Sequence, residues 1–476
     1  MRLSHPLASQ WVNRFLDRFG DEPGTVVLES QMLRAGLGRL TLLGARPREV
    51  VQARGGYVVA EGERGRLTLP LTPENLERML DMHGSAQMDR PVPRPIAAGM
   101  PGPDAWFGYV GYEAGHHLAE MPVPHDAGCE APSSDIPDIH LVRPGMLLAV
   151  DALTGASWAC NAASQEQWQR LRGEVEAAAG CGEAESDMDE AGGEPALEPM
   201  ALPAPAGYVA AVERTCEYIR AGDIFQANIT WPFAVETRRS PAEIYRAMRA
   251  LTPATHGAFL RLMGGGVVLS ASPEVYLRGA QGRFETRPIK GTVRLSGEVG
   301  AMRAALEELH ASVKDRAEHV MIVDVKRNDL GRLARVGRVR VSRLMRPLAL
   351  RNLVHLESTV EAELRPGVGA VEALSALFPG GSISGAPKIR ACEVIRELEP
   401  CRRRVYTGCI GWIGRQSAHL NIGIRTVYSQ TPEAGTYHYH AGGGITADSH
   451  ALAEWRECLL KAERLRLALG GEVKVG

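Results

Sequence analysis

Lys290 is the residue whose type and surroundings most clearly allow chemistry. It lies in the stretch Arg287-Pro288-Ile289-Lys290-Gly291-Thr292, and no other lysine occurs between Arg261 and Val313. Lysine differs from arginine because its ammonium group loses a proton when burial or nearby cations lower its pKa, and the neutral amine is a nucleophile. The hexapeptide alone leaves a second interpretation open, in which Lys290 is a solvated side chain at the end of a strand.

A glutamate on a long predicted helix is the next candidate. The spacing of side chains predicts a helix from about Ala301 to Leu330, with its inner stripe at Leu306, Leu309, Val313, Ala317, Val320 and Asp324. Glu318 lies beside this stripe and not opposite it. We therefore expect Glu318 to face a cleft.

Two further helices are predicted to begin after glycine-rich turns. One follows the run from Gly380 to Pro387, and its N-terminus is suited to an anion, although a simple turn is the alternative. Its buried edge is predicted to consist of Ile389, Cys392, Ile395 and Leu398. The other follows Gly442-Gly443-Gly444, with Asp448 or Ser449 as its N-cap, and carries on one face Glu454, Glu457 and Lys461.

Carboxylates on separate helices suggest a magnesium site. Mg²⁺ prefers oxygen ligands and is often held by one or two carboxylates. We expect Glu318 and Glu457 to be such ligands, while a solvated helix face with one ion pair remains the alternative for Glu457 and its neighbours. The histidines at 116, 117, 438 and 440 lack a consistent third ligand, so they are not expected to bind a metal.

Composition excludes several classes of protein. The 476 residues are 45% hydrophobic and 23% charged, which is ordinary for a globular protein and excludes disorder as the main state. A formal net charge of −2 gives no field that favours nucleic acid or an anionic membrane. The eight cysteines show no Cys-x-x-Cys pair, the N-terminus does not have the form of a signal peptide, and no apolar run approaches about twenty residues. A cytoplasmic protein that acts on small molecules is expected.

The chain is predicted to have three parts. Residues 180–206 are rich in Gly, Pro, Ala and acidic residues and contain no basic residue, which is typical of a flexible linker. Residues 1–179 alternate short strands with helices and form an α+β region. Residues 207–470 carry the strands, among them 266–270, 337–342, 418–428 and 437–441, that favour an antiparallel or mixed sheet.

Seven segments stand out in order along the chain. They are Asp223-Ile224-Phe225-Gln226-Ala227-Asn228-Ile229, Ser272-Pro273-Glu274, Arg287 to Thr292, Val323 to Arg332, His355 to Val360, Phe378 to Lys388 and Ala441 to Ile445. In this order they resemble the signatures of the chorismate-utilising family, which contains anthranilate, aminodeoxychorismate, isochorismate and salicylate synthases, and the resemblance covers nearly the whole chain. Lys290 is similar to the lysine of the aminodeoxychorismate branch, since anthranilate synthases carry alanine there.

The resemblance implies an activity and roles for these residues. In the aminodeoxychorismate branch, Lys290 adds to C2 of chorismate and displaces the C4 hydroxyl, and Glu274 is the general acid. Ammonia then attacks C4 and releases the lysine, giving 4-amino-4-deoxychorismate for 4-aminobenzoate and folate biosynthesis. Mg²⁺ is implied to be held by Glu318 and Glu457, with Glu454 near it. The residues implied to bind the substrate are Thr292, His355, Ser384, Arg425, Gly442, Gly443 and Lys461.

Two departures and one accessory site follow from the same comparison of motifs. Lys326 stands where the family often has an uncharged residue, and Glu357 where valine is common; both are expected to face outward. Ser30, in Leu28-Glu29-Ser30, resembles an element of a tryptophan pocket, as do Gly111-Tyr112 and Ile136-Pro137-Asp138. Tryptophan is therefore a possible ligand, as a regulator or as a structural feature.

The resemblance also implies a partner and a fold. The chain contains no Gly-x-Cys-x-Gly glutaminase turn and no lyase module, so ammonia is expected from a separate glutamine amidotransferase subunit or from solution. The implied fold is α+β, with two packed, mainly antiparallel sheets surrounded by helices. Alternatives are an anthranilate synthase large subunit, against which Lys290 argues, and a catalytically silent homologue that binds an amino acid.

Overall fold

The computed structural model describes most of the chain. The described residues are 2–3, 6–33, 39–63, 65–82, 101–102, 105–119, 121–122, 136–154, 157–159, 169–170, 173–175, 200–294, 301–350 and 353–475. The predicted linker therefore lies mostly outside them. In the described part of the chain, no helix is long and apolar enough to cross a membrane.

Helices occur in both halves of the chain, most of them amphipathic and packed by one face. They are α1 (Pro6–Phe19), α2 (Pro73–Met82), α3 (Gly115–Leu118), α4 (Ala206–Arg220), α5 (Pro241–Leu251), α6 (Ala301–Ala311), α7 (Val313–Gly331), α8 (Ala370–Leu377), α9 (Lys388–Leu398) and α10 (Ala451–Leu469). Local signals fix several ends. Ser240, for example, caps α5 with a complete capping box in which Glu243 is the reciprocal partner.

Strands make up the rest of the regular structure. The first half contributes β1 (Arg2–Leu3), β2 (Val26–Glu29), β3 (Met32–Leu33), β4 (Leu40–Arg54), β5 (Tyr57–Gly62), β6 (Gly65–Pro70), β7 (Trp106–Val110), β8 (Ile139–Asp151) and β9 (Ser157–Ala159). The second half begins with β10 (Gln226–Glu236), β11 (His256–Arg261), β12 (Val267–Ser272), β13 (Val275–Ala280), β14 (Arg283–Arg287), β15 (Ile289–Arg294), β16 (Ala334–Leu350) and β17 (Leu353–Leu364). It ends with β18 (Gly385–Ala386), β19 (Cys409–Ile413), β20 (Ser417–Ile422), β21 (Thr426–Ser429), β22 (Thr436–Ile445) and β23 (Glu472–Val475).

Apart from β1 and β3, which pair with each other, the strands form two sheets with antiparallel pairing. One sheet runs in the order β9-β8-β4-β2-β11-β12-β21-β22-β10, and β18 and β23 flank the far side of β10. The other runs β6-β5-β4-β8-β7-β19-β20-β13-β14-β17, and β17 also pairs with β15 and β16. The predicted fold class, α+β with two mainly antiparallel sheets and surrounding helices, is confirmed.

The long strands β4 and β8 belong to both sheets. Their pairing shifts register next to Pro47, which stands opposite Pro144, and Arg46 has a φ of 52°. Proline has no backbone N–H to donate to the hydrogen bonds between strands, and a bulge bends a strand. Both strands therefore leave one sheet for the other at this position. The corner joins the two sheets without a break in the chain.

Hydrophobic side chains lie in three layers. One cluster packs α1, α4, α5, α9 and α10 against the first sheet, and another packs α2, α3, α7 and α8 against the second. A third cluster, with Leu260, Val268, Phe107 and Trp412, contains side chains from both sheets. The architecture therefore has four layers, in the order helices, sheet, sheet and helices. The ends of strands at the edges of these layers can carry polar groups.

The helix predicted from Ala301 to Leu330 is wrong in two respects. It is interrupted at Ser312, whose side chain accepts a hydrogen bond from the Asp315 amide and caps α7. The predicted stripe fails as well, because the side chains of Val313, Val320 and Asp324 are 79%, 50% and 72% exposed. A new cap resets the phase of the helix, so the buried face contains His319, Ile322, Val323, Lys326 and Leu330 instead.

Several smaller expectations are also wrong. Lys326 and Glu357, expected to face outward, are 0% and 2% exposed. Ile389, expected on the buried edge of α9, is 58% exposed, because Ala391 and Val394 share that edge with Cys392 and Ile395. The N-cap of α10 is His450, not Asp448 or Ser449. The strand predicted at 418–428 is two strands, separated at residues 423–425, where Arg425 has a φ of 51°.

Candidate active site

Lys290 and Glu318 lie in direct contact. The Lys290 Nζ is 2.6 Å from the Glu318 Oε2, and their side chains are 23% and 11% exposed. Gly291, with a φ of 76°, shifts the register of β15 against β17 immediately after Lys290. Such a bulge re-aims a side chain at the edge of a ladder, and glycine adopts a positive φ without strain. The motif therefore turns the Lys290 amine toward α7.

Glu274 is a buried acid between β12 and β13. Its residue is 4% exposed, and the Ser382 hydroxyl donates to its Oε1 at 2.6 Å. Burial raises the pKa of Glu274 to about 7, although the Ser382 hydrogen bond and the charge of Lys326 act in the opposite direction. A carboxyl group with such a pKa can hold a proton near neutral pH and give it to a leaving group.

Glycines of β22 approach both the lysine and the acidic helix. A Cβ on Gly444 would lie 3.3 Å from the Lys290 Nζ. A Cβ on Gly443 would lie 3.3 Å from the Glu454 Oε2 and 3.6 Å from the Glu457 Oε1. Side chains on this strand would therefore crowd the carboxylates of α10 and the Lys290 amine, which is the physical reason for glycine here.

Lys461 faces the same glycine run. Its Nζ lies 2.8 Å from the Gly442 carbonyl oxygen and 2.7 Å from the Glu457 Oε1. The side chains of Glu457 and Lys461 are 55% and 49% exposed, so this ion pair opens at little cost. The residues predicted on one face of the third helix are thus together.

Arg425 and His355 give the site a positive side. Burial, followed by the charge of Arg464, lowers the pKa of Arg425 to about 10, and its guanidinium makes no ion pair with a carboxylate in the described chain. Burial lowers the pKa of His355 to about 4, with Arg425 and then Lys461 as repelling charges, so the imidazole is neutral at pH 7. Arg425 and Lys461 both act on His355. Two cations in this arrangement are suited to bind a substrate carboxylate.

The other predicted substrate contacts are less direct. Ser384 is wholly buried and donates its hydroxyl to the Gly380 carbonyl at 2.9 Å, so it shapes the loop that contains Ser382. Thr292 pairs with His355 through the backbone, and its side chain lies outside the described part of the structure.

The predicted magnesium ligands fit an oxygen site in part. The described residues include no group of three or more His, Cys, Asp or Glu side chains that could hold a metal. Glu318, however, has a buried Oε1 without a hydrogen-bond partner, and Glu454 and Glu457 converge on Gly443. An orphaned carboxylate oxygen and two further glutamates match the preference of Mg²⁺ for few protein oxygens plus substrate and water.

Ser30, the residue predicted for a tryptophan pocket, is 2% exposed and donates to the Met32 carbonyl oxygen at 2.8 Å. The two other predicted elements meet, since the Gly111 amide donates to the Asp138 carbonyl at 2.7 Å. Tryptophan binding stays a prediction.

Three polar residues near the site were not predicted as site residues. Ser382 holds Glu274, and Gln226, 1% exposed, has a buried Oε1 without a described partner, while its Nε2 would clash with a Cβ on Gly444. Lys326, which was expected to face outward, is the third, and its charge acts on Glu274. Each lies inside a family-like motif, so the signal available was a polar residue within that motif.

Comparison with known proteins places the chain in a family. Residues 48–466 match the model of chorismate binding enzymes. Anthranilate synthase component 1 of Streptomyces coelicolor is 33% identical over 474 residues, covering 96% of this chain and 86% of that protein. Aminodeoxychorismate synthase component 1 of Bacillus subtilis is 40% identical over 265 residues, 55% of each chain. The chain belongs to the chorismate-binding enzyme family.

A solved structure agrees with this assignment. Anthranilate synthase component I from Streptococcus pneumoniae superposes with a TM-score of 0.72 at 27% identity, over 91% of this chain and 93% of that chain. The fold therefore matches that of this anthranilate synthase component I structure.

Proposed function

We propose that this enzyme is the large subunit of an aminodeoxychorismate synthase, a transferase that converts chorismate and ammonia to 4-amino-4-deoxychorismate. The observation that carries the proposal is the position of Lys290, whose amine lies beside Glu318 and the glycines of β22. In the family, alanine at this position accompanies anthranilate synthesis. A lysine at the substrate cleft offers a nucleophile that alanine lacks.

The first half of the reaction replaces the C4 hydroxyl by a bond to Lys290. The neutral amine attacks C2, the ring double bonds shift, and the C4–O bond breaks. Glu274 donates its proton to the departing oxygen, which leaves as water, and Glu274 is left as a carboxylate. Because an amine attacks only without its extra proton, the Lys290–Glu318 ion pair must open before this step.

The second half reverses the displacement with a different nucleophile. Ammonia attacks C4, the double bonds shift back, and the C2–N bond to Lys290 breaks. The Glu274 carboxylate takes the proton that the new C4 ammonium releases, which restores the acid. The sum is an exchange of hydroxyl for amine at C4, with one water formed for each ammonia consumed.

Substrate binding divides between cationic and acidic groups. Arg425 and Lys461 would hold the chorismate carboxylates, and neutral His355 would contact the ring side. Glu318, Glu457 and Glu454 would hold Mg²⁺, which when bound would neutralise the ring carboxylate. Ammonia would come from a separate glutamine amidotransferase subunit.

An anthranilate synthase component is the second candidate. It is favoured by the 33% identity over 96% of the chain with the Streptomyces coelicolor enzyme, whereas the aminodeoxychorismate synthase match spans 55%. Both reactions need the same carboxylate binders and metal site. The two differ in the fate of the enolpyruvyl group, which anthranilate synthesis releases as pyruvate.

The product decides between the two candidates. Purified protein is incubated with chorismate, Mg²⁺ and an ammonium salt. The products are separated by liquid chromatography, and their masses are measured by mass spectrometry. We expect 4-amino-4-deoxychorismate, with the enolpyruvyl group retained and no pyruvate. Anthranilate with an equal amount of pyruvate would reject the proposal in favour of the second candidate.

A further inference from the structure

Lys326 is a buried lysine that the reaction described above does not use. It lies on the inner face of α7 with 0% exposure, and its Nζ has no hydrogen-bond partner among the described residues. The amine is 5.2 Å from the centroid of the Tyr276 ring and 3.6 Å from the point where a Cβ on Gly380 would stand. A buried ammonium group without a hydrogen bond is costly, so simple packing does not explain a lysine here.

A loop connects Lys326 to the acid. Gly380 faces the Lys326 amine, and Ser382, two residues later, donates to Glu274. Lys326 and Glu274 each act on the charge of the other. Both side chains are therefore buried against the same short loop, in a region that excludes water, where charges interact strongly.

The charged neighbours leave Lys326 without a dedicated counter-ion. Asp329, three residues further along α7, accepts a hydrogen bond from the Lys388 Nζ of α9 at 2.6 Å. Burial lowers the pKa of Lys326 to about 8; Asp329 and Glu274 act against this shift, whereas Lys388 adds to it. From β17, buried Glu357 acts on Glu274 and raises its pKa. Asp329, whose charge is shared with Lys388, acts on Lys326 more strongly than Glu274 does, and Glu274 is the second acid whose charge acts on Lys326.

We propose that Lys326 is a positioning residue for Glu274. The buried positive charge of Lys326 controls whether the Glu274 carboxyl keeps or releases its proton. The proposal rests on the proposed role of Glu274 as general acid. When Glu274 gives its proton to the departing hydroxyl, the Lys326 ammonium compensates the negative charge that remains. Lys326 itself stays protonated throughout, so the proton balance of the reaction is unchanged.

The protonation of Glu274 can be measured without substrate. Infrared spectra of protein with ¹³C-labelled glutamate are recorded from about pH 5 to about pH 10, and the Glu274→Gln spectra are subtracted to isolate the Glu274 carboxyl band. In the wild type we expect a midpoint near the pKa of about 7. In Lys326→Met the midpoint should rise by about one pH unit or more, because the charge that favours the carboxylate is gone.

Matched variants separate the effect of the Lys326 charge from the effect of any other positive charge on α7. Arg327→Met removes a positive charge one residue away, from a side chain that is 52% exposed and paired with Asp324; its midpoint should equal that of the wild type. Lys326→Gln provides a second neutral side chain. Both Lys326 variants should melt at the wild-type temperature or above, because a buried cation without a dedicated counter-ion has been removed.

Two outcomes would overturn the inference. One is a Glu274 midpoint that stays in place in Lys326→Met and Lys326→Gln; the other is an equal shift in Arg327→Met. The test is independent of the product formed, so release of anthranilate would refute the proposed function and leave this inference standing. In Lys326→Met, the pH above which the single-turnover rate falls should rise by the same amount as the infrared midpoint of Glu274.

Discussion

Lys290 and Glu318 form a close ion pair, and this pair limits when Lys290 can react. A separation of 2.6 Å between the Nζ and the Oε2 is a strong, partly buried ion pair. The other Glu318 oxygen is buried and has no described partner, so the carboxylate has capacity for a second cation. At the residue scale, any cation or substrate that draws Glu318 away would release the amine for attack.

Replacement of Lys290 is the most direct test of its role. Lys290→Ala should lose nearly all 4-amino-4-deoxychorismate formation, a loss of about a hundredfold or more, while chorismate still binds. Lys290→Arg should be as inactive, because a guanidinium stays protonated at working pH. The measurement is steady-state product formation, together with chorismate binding followed by calorimetry.

The control for this test is Lys474→Ala, since Lys474 is 68% exposed and pairs with Glu236 on the surface. Wild-type protein quenched during turnover without ammonia should also carry a chorismate-derived mass on the peptide that contains Lys290. Full activity in Lys290→Ala would show that no covalent lysine adduct is needed.

At the scale of elements, the predicted metal ligands lie on two helices from separate parts of the chain, α7 and α10. Glu318 lies on α7, whereas Glu454 and Glu457 lie on α10 and converge on Gly443. Two helices that each contribute carboxylates can be tied together by a cation. A bound metal would therefore stabilise the folded state as well as help to bind the substrate.

Magnesium should raise the melting temperature in the presence of chorismate, by the mass action of a ligand for the native state. Glu318→Gln and Glu457→Gln should each lose most of this increment, whereas Glu308→Gln, on the exposed face of α6, should keep it. Scanning fluorimetry with Mg²⁺ or with EDTA measures the increment. An undiminished increment in both variants would remove these residues as ligands.

Arg403 connects elements behind the site. It is 1% exposed and donates to both oxygens of Glu399, to the Thr407 hydroxyl, and to the carbonyl oxygens of Ile383 and Asn228. One side chain thus joins α9 to β10 and to the loop that carries Ser382. Because its charge is paired within the core, removal leaves Glu399 as an uncompensated buried anion.

Arg403→Met should lower the free energy of unfolding by about 3–5 kcal/mol, the usual cost of breaking a buried ion pair. Guanidinium denaturation followed by circular dichroism gives this value. Arg214→Met, which breaks an exposed pair with Glu217, should leave the transition midpoint unchanged. A double variant in which Glu399 is also replaced by Met should recover part of the loss, and no recovery would argue against an electrostatic cause.

For the whole molecule, the source of ammonia is the central question. The proposed reaction consumes ammonia, and we expect a separate amidotransferase subunit to supply it. The purified chain should therefore form product from chorismate with ammonium salts, at a rate that rises with the concentration of free ammonia at a fixed pH. With glutamine alone it should form none.

Coupled product analysis with each nitrogen source is the measurement, and addition of a glutamine amidotransferase subunit is the positive control. Restoration of glutamine-dependent turnover by that subunit would support the proposed partner. Turnover with glutamine and the purified chain alone would contradict the need for one.

The motifs predicted the main candidate site residues because chemistry restricts residue type. Lys290, Glu274, Glu318 and the glycines of β22 could be named from the sequence, and the structure brings Lys290 to Glu318 and to Gly444. Helices and strands were also predicted from residue patterns, and the succession of strands along the chain predicted an antiparallel or mixed sheet. These features depend on local pattern, which the sequence records directly.

The burial of two charged residues was decided by tertiary structure. Lys326 and Glu357 carry charges, which predicts exposure, yet the helix phase set by Ser312 and the central position of β17 place both in the interior. The cap at Ser312 is a local signal that resets the helix phase. Which helix face and which strand are buried could not be inferred locally, because the elements packed against them come from distant parts of the chain. The sequence therefore determined which groups are available, whereas the packing of α7 and β17 decided that Lys326 and Glu357 lie in the interior, where both charges act on Glu274.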